Sequence, residues 1–318
     1  MKFKNKFMNI YYNNYIKIKS ILLINIIIFS FKNINKLFRL NEFLNKKNEN
    51  VSLVIPIISK DFYKIAKNFK YYINFINGIK NVVLIGNEEI ESLIKENNYS
   101  LNFPINFINE KMLLDVDKIK QLIKSRNITA YKRSGWYIQQ FLKMIYCKIC
   151  HDKYYLLWDS DTIPVKKVKM FKYNGKPIFD VKTEYNEQYF STMKNIFPEL
   201  GKKYDYSFIS EHMIINSKIM ENMINTINDN KNLFGDTWYE KIINCINTSH
   251  LPYSGFSEFE TYGTFAEEYY KGVYIIRYWN SLREGILFFN PKFLTENDIK
   301  NISKNYNAIS FEKYQEET

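Results

Sequence analysis

The stretch YYLLWDSDTIP, residues 154–164, decides the fold. Its apolar first half predicts a buried β-strand, and Pro164 opposes any continuation of the hydrogen-bond ladder. Asp159 and Asp161 therefore stand where this strand ends, which is where open α/β sheets bind their ligands. Two carboxylates this close need a cation, because like charges disfavour joint ionisation. Oxygen ligands suit Mg²⁺ or Mn²⁺, and such ions usually keep substrate phosphates as further ligands. The stretch therefore predicts a metal–diphosphate site.

The chain before this stretch alternates strands and helices. Gly78 follows the first helical pattern as a C-cap would, and strand–helix–strand units of this length require parallel strands. This half is therefore predicted to be Rossmann-like, although it lacks the Gly-x-Gly-x-x-Gly fingerprint of dehydrogenases. The predicted strands are residues 51–57, 81–86 and 105–108, and the predicted helices are residues 62–76, 88–95 and 115–125.

A basic pair, Lys132 and Arg133, precedes a helix predicted from residue 135 to about residue 150, with Ser134 as its N-cap. Exposed N–H groups and cations at a helix start suit an anionic phosphate. Trp136 and Gln140 share one face of this helix, away from its apolar stripe. We expect these residues to bind a phosphorylated donor; the alternative is an ordinary solvated basic pair.

Beyond the aspartates, residues 177–181 predict a strand, and Glu184-Tyr185-Asn186 open a loop that would form an acceptor-side wall or a plain surface. Glu211 and His212 interrupt an apolar run, so they must be satisfied or serve chemistry. His212 is a candidate third metal ligand, with a structural histidine as the alternative. Glu211 would contact an acceptor hydroxyl or hold His212 in place.

Two more carboxylates, Glu258 and Glu260, follow a breaker-rich loop and precede a helix predicted from residue 262. Deprotonation of an acceptor hydroxyl needs a carboxylate within hydrogen-bond reach, so both are candidate general bases. Ser257 and Glu260 also match a capping box, which would give Glu260 a structural role. This interpretation leaves Glu258 free, and we favour it as the base.

The net charge of the 318-residue chain is +12, and residues 1–50 hold ten Lys/Arg against two acids. Because the excess is not spread over the folded part, we expect no nucleic-acid partner. The charge-free run 20–31 falls short of the roughly 20 residues of a bilayer span, but its flanking lysines suit peripheral membrane contact by residues 1–48. Three cysteines indicate a reducing compartment rather than a disulfide framework.

Four segments together resemble a little-characterised bacterial family of glycosyltransferases of surface polysaccharide synthesis. The likeness covers about residues 51–285 and implies a GT-A fold, a nucleotide-sugar donor and a divalent metal held by the Asp-x-Asp motif. The segments are Arg133-Ser134-Gly135-Trp136-Tyr137 with Gln139-Gln140, Leu157-Trp158-Asp159-Ser160-Asp161-Thr162-Ile163-Pro164, Phe208-Ile209-Ser210-Glu211-His212-Met213, and Phe256-Ser257-Glu258-Phe259-Glu260-Thr261-Tyr262-Gly263.

Together these patterns predict an α/β protein with one GT-A-like domain over residues 49–290, a mixed central sheet, an N-terminal arm (1–48) and a C-terminal tail (291–318). The expected activity is transfer of a sugar from a nucleotide diphosphate, with a UDP-sugar as donor, to a saccharide or glycolipid acceptor. The expected location is the cytoplasm, at the inner face of the membrane. Two alternatives stay open: a haloacid-dehalogenase-type phosphatase, which Ile163 disfavours where that family has Thr or Val, and a non-catalytic carbohydrate-binding module.

Overall fold

The computed structural model describes residues 50–96 and 103–312. The predicted N-terminal arm therefore lies outside the described residues. The strands are β1 (Val51–Pro56), β2 (Ile79–Gly86), β3 (Ile105–Asn109), β4 (Tyr154–Trp158), β5 (Thr162–Pro164), β6 (Ile178–Val181), β7 (His212–Asn216), β8 (Ile275–Tyr278), β9 (Ser281–Leu282) and β10 (Ala308–Ser310).

The helices alternate with these strands in the first half and cluster in the second. They are α1 (Phe62–Phe75), α2 (Glu88–Glu96), α3 (Val116–Arg126), α4 (Ser134–Ile145), α5 (Glu187–Ile196), α6 (Ser217–Asp229), α7 (Trp238–Cys245), α8 (Glu258–Tyr269) and α9 (Glu296–Ile302). All of these elements belong to one compact unit.

The central sheet has the strand order β3-β2-β1-β4-β7. The first four of these strands are mutually parallel, and β7 runs antiparallel to β4 with His212 opposite Trp158. β1, β4 and β7 are buried along their whole length, which explains why their sequences are mostly apolar and do not alternate with polar residues. The predicted α/β class, the Rossmann-like first half and the mixed sheet are confirmed.

Local capping explains where two helices differ from their predicted bounds. A 3₁₀ helix, Ile128–Arg133, runs directly into α4, so Ser134 is helical and its hydroxyl donates to the Tyr131 carbonyl at 2.8 Å instead of capping. α8 begins at Glu258 rather than residue 262, because the Ser257 side chain caps it by accepting from the Glu260 N–H at 3.2 Å.

Two small sheets complete the structure. β6 pairs in parallel with β8, and β10 lies between β5 and β9. The predicted tail is described as far as Glu312, and this part contains α9 and β10. Since β10 pairs antiparallel with β5, ordered structure continues past residue 290 and returns to the aspartate segment. Within the described ranges, no helix is both long and apolar enough to cross a membrane.

Candidate active site

The aspartate pair lies on a tight turn between β4 and β5. The Thr162 N–H donates to the Asp159 carbonyl at 3.1 Å, and the Asp159 N–H donates to the Glu211 carbonyl at 2.9 Å. Trp158 also stabilises the turn, since its indole N–H donates to the Thr162 carbonyl at 2.8 Å. The turn is therefore fixed by main-chain and indole hydrogen bonds, which leaves both aspartate side chains free for other contacts.

Asp161 is held from the C-terminal side of the molecule as well. Its carbonyl accepts from the Phe311 N–H at 2.8 Å, directly after β10. The Asp161 side chain lines a cleft, where burial and the neighbouring carboxylates Asp159 and Glu312 raise its pKa to about 7. A raised pKa is expected for a buried carboxyl group with other carboxylates nearby and too few cations to balance them.

Lys143, on α4, bridges two candidate residues. Its ammonium group lies 2.5 Å from Asp159 Oδ1 and 2.7 Å from Glu258 Oε1, and the lysine is buried. Burial alone would lower the pKa of Lys143, but the two carboxylates raise it above its ordinary value. Burial raises the pKa of Glu258, and Lys143 offsets only part of this effect. The three groups form one ion cluster on the floor of the cleft.

The cleft, with a volume of about 230 Å³, brings together most of the predicted donor residues. Arg133, Trp136 and Gln140 line it beside both aspartates and Glu258. The Arg133 guanidinium lies 4.7 Å from the centre of the Trp136 ring, and its Nε donates to the Tyr253 carbonyl at 3.0 Å. Lys132 is exposed and does not line this cleft, so only one member of the basic pair reaches it.

The cleft also contains an ion pair between Arg283 and Glu312 that was not predicted. Arg283, just after β9, donates from one terminal nitrogen to both carboxylate oxygens of Glu312, at 2.8 and 2.9 Å, and also contacts Glu184. Both Arg283 and Glu312 line the cleft. The sequence signal was weak, because Glu312 stands in a charged terminal segment that resembles a solvated tail.

His212 is not positioned to be the predicted third metal ligand. Its ring is fully buried, with Nε2 at 2.8 Å from Asp180 Oδ2 and Nδ1 at 2.7 Å from the Ser210 carbonyl. The ring also stacks on Trp158, at 4.5 Å between centroids. Since both nitrogens have protein partners, this geometry favours the structural alternative over the predicted metal ligand.

The two other predicted glutamates also have structural partners. Glu260 accepts from the Ser207 hydroxyl at 2.6 Å and the Phe208 N–H at 3.1 Å, and it does not line the cleft. Its carboxylate therefore turns away from Ser257, so the capping box is only half formed. This arrangement favours a structural role for Glu260 over the predicted role as a base.

Glu211 has a left-handed backbone, with φ of 61°, and is buried. Its carboxylate contacts Lys182 and accepts from the Ser281 hydroxyl at 3.0 Å and the Trp279 indole at 3.2 Å. The cleft does not include Glu211, so contact with an acceptor hydroxyl is not supported. The main-chain carbonyl of Glu211 accepts a hydrogen bond from the Asp159 N–H and so helps to hold the aspartate turn.

Residues 48–280 match the model of a family of unknown function, DUF6492. The chain belongs to the DUF6492 family. No curated protein matches it. The DUF6492 chain is similar to the crystal structure of mouse xyloside xylosyltransferase 1, at 11% identity over 82% of this chain and 97% of that one, with a TM-score of 0.42.

Two other solved structures that are similar to this DUF6492 protein also carry the names of glycosyltransferases. The galactosyltransferase LgtC, in complex with donor and acceptor sugar analogs, matches at 11% identity over 82% of this chain and 87% of that one, with a TM-score of 0.39. The glycosyltransferase GlyE of Streptococcus pneumoniae matches at 9% identity over 83% of this chain and 55% of that one, with a TM-score of 0.38.

The donor set of the DUF6492 site fits one kind of metal site. Within residues 50–96 and 103–312, no group of three or more His, Cys, Asp or Glu side chains is placed to enclose a metal ion. The predicted ligands that remain are the carboxylates of Asp159 and Asp161, which are hard oxygen ligands. This set suits Mg²⁺ or Mn²⁺, which is commonly bound through one or two carboxylates plus substrate phosphates rather than by a protein cage.

Proposed function

We propose that this protein is a glycosyltransferase that moves a sugar from a nucleotide-diphosphate sugar to a saccharide or glycolipid acceptor, with a UDP-sugar as the donor. The observation that carries the proposal is the aspartate pair at the carboxyl end of β4, in a cleft that also presents Arg133, Lys143 and Arg283. Cations at a sheet's carboxyl edge can bind a diphosphate directly, and an aspartate pair there can bind it through a divalent cation.

The charge of the cleft supports a divalent cation. Three basic side chains line it against four carboxylates, those of Asp159, Asp161, Glu258 and Glu312, so the lining carries one excess negative charge when all four are ionised. A diphosphate alone would be repelled by this excess. With a divalent cation on Asp159 and Asp161, the lining becomes net positive and accepts an anion.

The protein's own side chains would divide the work as follows. Asp161 and Asp159 hold Mn²⁺ or Mg²⁺, which when bound neutralises charge that develops on the leaving diphosphate. Arg133 adds a fixed cation for the phosphates, and Trp136 offers an apolar face to the donor. Glu258 accepts the proton of the acceptor hydroxyl, and Lys143 orients it while joining it to the metal-binding aspartate.

The cellular role is part of the same proposal. The resemblance of the motifs to glycosyltransferases of surface polysaccharide synthesis supports a role in making capsule or lipopolysaccharide. The predicted basic and apolar arm, residues 1–48, supports work at the inner face of the membrane, because its lysines would be attracted to anionic lipids.

Donor hydrolysis with and without metal tests the proposal. We expect Mn²⁺-dependent release of the nucleoside diphosphate from one member of a nucleotide-sugar panel. Asp161→Asn should reduce it by about 100-fold, because the metal's contribution to the transition state is worth several kcal/mol. The matched control is Asp152→Asn, just before the amino end of β4, where the carboxylate pairs with Lys80 at 2.6 Å.

Three outcomes would contradict the proposal. One is full donor turnover by Asp161→Asn in the presence of a chelator. Another is efficient hydrolysis of p-nitrophenyl phosphate without any turnover of nucleotide sugars, which would favour the phosphatase alternative. The third is binding of saccharides without any response to nucleotide sugars and Mn²⁺ in a thermal-shift assay, which would favour the non-catalytic module.

A further inference from the structure

A second pocket, of about 530 Å³, lies at the start of α5 and is lined by Tyr185, Asn186, Glu187, Gln188, Ser191 and His250. It adjoins the cleft through shared segments. Tyr189, the next residue of α5, lines the cleft, and the loop that carries His250 continues to Tyr253 and Ser254, which both bind Arg133. The start of α5 therefore lines both openings, and the loop that carries His250 at the second pocket also holds Arg133 of the cleft.

The chemistry of this second pocket differs from that of the cleft. Among the residues that the structure describes, its lining contains no lysine or arginine and one carboxylate, that of Glu187. A diphosphate or another strong anion would find no cation there. The other lining groups are amides, hydroxyls and an imidazole, which both donate and accept hydrogen bonds to neutral hydroxyls.

Two lining residues have a polar atom with no partner among the described residues. These atoms are Gln188 Oε1 and His250 Nδ1, and both are buried. An unpaired buried polar atom is costly, so each would gain a hydrogen bond if its side chain turned that atom toward a ligand in the pocket. The terminal torsion of a glutamine is soft, which lets the Gln188 amide turn toward a group in the pocket.

An aromatic face stands beside these polar atoms. Tyr185 is 62% exposed, and its ring stacks on the buried Phe190, with 5.4 Å between the ring centres and 13° between the planes. Phe190 therefore fixes the tyrosine from behind while its other face stays open. An open, preorganised aromatic ring beside hydrogen-bonding amides matches a sugar, which has apolar C–H faces and a rim of hydroxyls.

We propose that the second pocket binds a neutral sugar unit of the acceptor, one that is remote from the reacting hydroxyl. The identification of this sugar as part of the acceptor rests on the proposed function, whereas the binding of the sugar does not need a donor. A lining with a carboxylate and no cation keeps the nucleotide in the cleft, and the start of α5, which lines both openings, would let one oligosaccharide extend from Tyr185 toward Glu258.

Binding of neutral saccharides to the full chain, without a nucleotide sugar, tests the inference. The probes are lactose, maltotriose and N,N′-diacetylchitobiose, observed by saturation-transfer NMR and titrated by calorimetry. We expect at least one probe to bind, and Tyr185→Ala and Gln188→Leu each to weaken its Kd about ten-fold through loss of the aromatic face or the amide. Tyr278→Ala is the matched control, because Tyr278 is also 62% exposed but lies on β8, outside the pocket lining.

Several results would overturn the inference that the second pocket binds a sugar. One such result is that no probe binds to the wild type. Another is that Tyr278→Ala weakens saccharide binding as much as Tyr185→Ala and Gln188→Leu do. Displacement of the bound saccharide by UDP and Mn²⁺ would place it in the cleft and also refute the second pocket. Donor hydrolysis is measured separately: if it succeeds while every saccharide fails, the pocket inference falls and the proposed function stands. Saccharide binding without donor hydrolysis would support the pocket and refute the proposed function.

Discussion

Replacement of Lys143 by methionine should destabilise the protein strongly. The lysine side chain is 7% exposed and its ammonium group contacts Asp159 and Glu258, whose side chains are 31% and 2% exposed. Methionine keeps most of the apolar stem but removes the charge. The Glu258 carboxyl group is then left buried without a counter-charge, whereas water can partly solvate Asp159.

The size of the effect follows from this difference in exposure. Removal of one partner from a buried ion pair costs about 3–5 kcal/mol. Because Asp159 can be hydrated, we expect a loss near the lower limit, about 3 kcal/mol. At about 2.1 cal/mol/K of unfolding entropy per residue, that loss corresponds in a 318-residue chain to a fall in Tm of roughly 4–6 °C.

The assay is urea unfolding and thermal melting of matched lysine variants. Lys148→Met is the control, since Lys148 pairs with Glu221 at 3.1 Å and both side chains are a third or more exposed. An exposed pair is worth about 1 kcal/mol or less, so this variant should unfold nearly like the wild type. The double variant Lys143→Met with Glu258→Gln should recover most of the stability, because no charge is then stranded.

Equal losses for Lys143→Met and Lys148→Met would refute the reasoning. They would mean that the ammonium of Lys143 is solvated, and that the cluster with Asp159 and Glu258 is not a buried one. A double variant no more stable than Lys143→Met would show instead that packing, rather than the unpaired carboxylate, determines the cost.

Two further predictions concern pH and packing. Burial raises the pKa of Asp180, but the hydrogen bonds and charges of Arg277 and His212 together lower it below its ordinary value. The contribution of Asp180 to stability is therefore present above the unfolded value of about 4 and is lost as pH falls through the folded-state pKa. The gap in urea midpoint between wild type and Asp180→Asn should therefore narrow below pH about 4; a constant gap would contradict this. Gly263→Ala should cost about 1–3 kcal/mol, because the new Cβ would lie 2.1 Å from Phe208 Cγ, whereas Gly135→Ala meets nothing within 4 Å and should stabilise its helix. Thermal melting that ranked these two variants the other way would contradict the packing argument.

Local patterns in the sequence were enough to find the framework of the site. The apolar run of β4 and the aspartates after it are contiguous, so burial and charge could be read from adjacent residues. The βα units before β4 have regular hydrophobic periodicity, which is the most readable signal in a single sequence. Arg133, Trp136 and Gln140 are also close to one another along one helix, and they do line the cleft.

Partners that are distant in sequence could not be found in this way. Glu258 lies 115 residues from Lys143, and Asp180 lies 32 residues before His212. No periodic pattern records such pairs. The sequence showed only that a buried histidine must be satisfied, and it did not distinguish a metal from a protein partner. Asp180, a lone carboxylate within an apolar strand, was the available hint that His212 had a neighbour.

The aspartate turn depends on more than β4. Asp161 is fixed on one side by the end of the central sheet and on the other by β10, where the Phe311 N–H binds its carbonyl and the Ser310 hydroxyl lies 2.5 Å from the Thr162 hydroxyl. The next residue, Glu312, adds a carboxylate to the cleft and is itself held by Arg283. The C-terminal segment therefore sets both the position and the charge of the proposed metal site. A motif that looks complete in eleven residues is completed by a strand about 150 residues later.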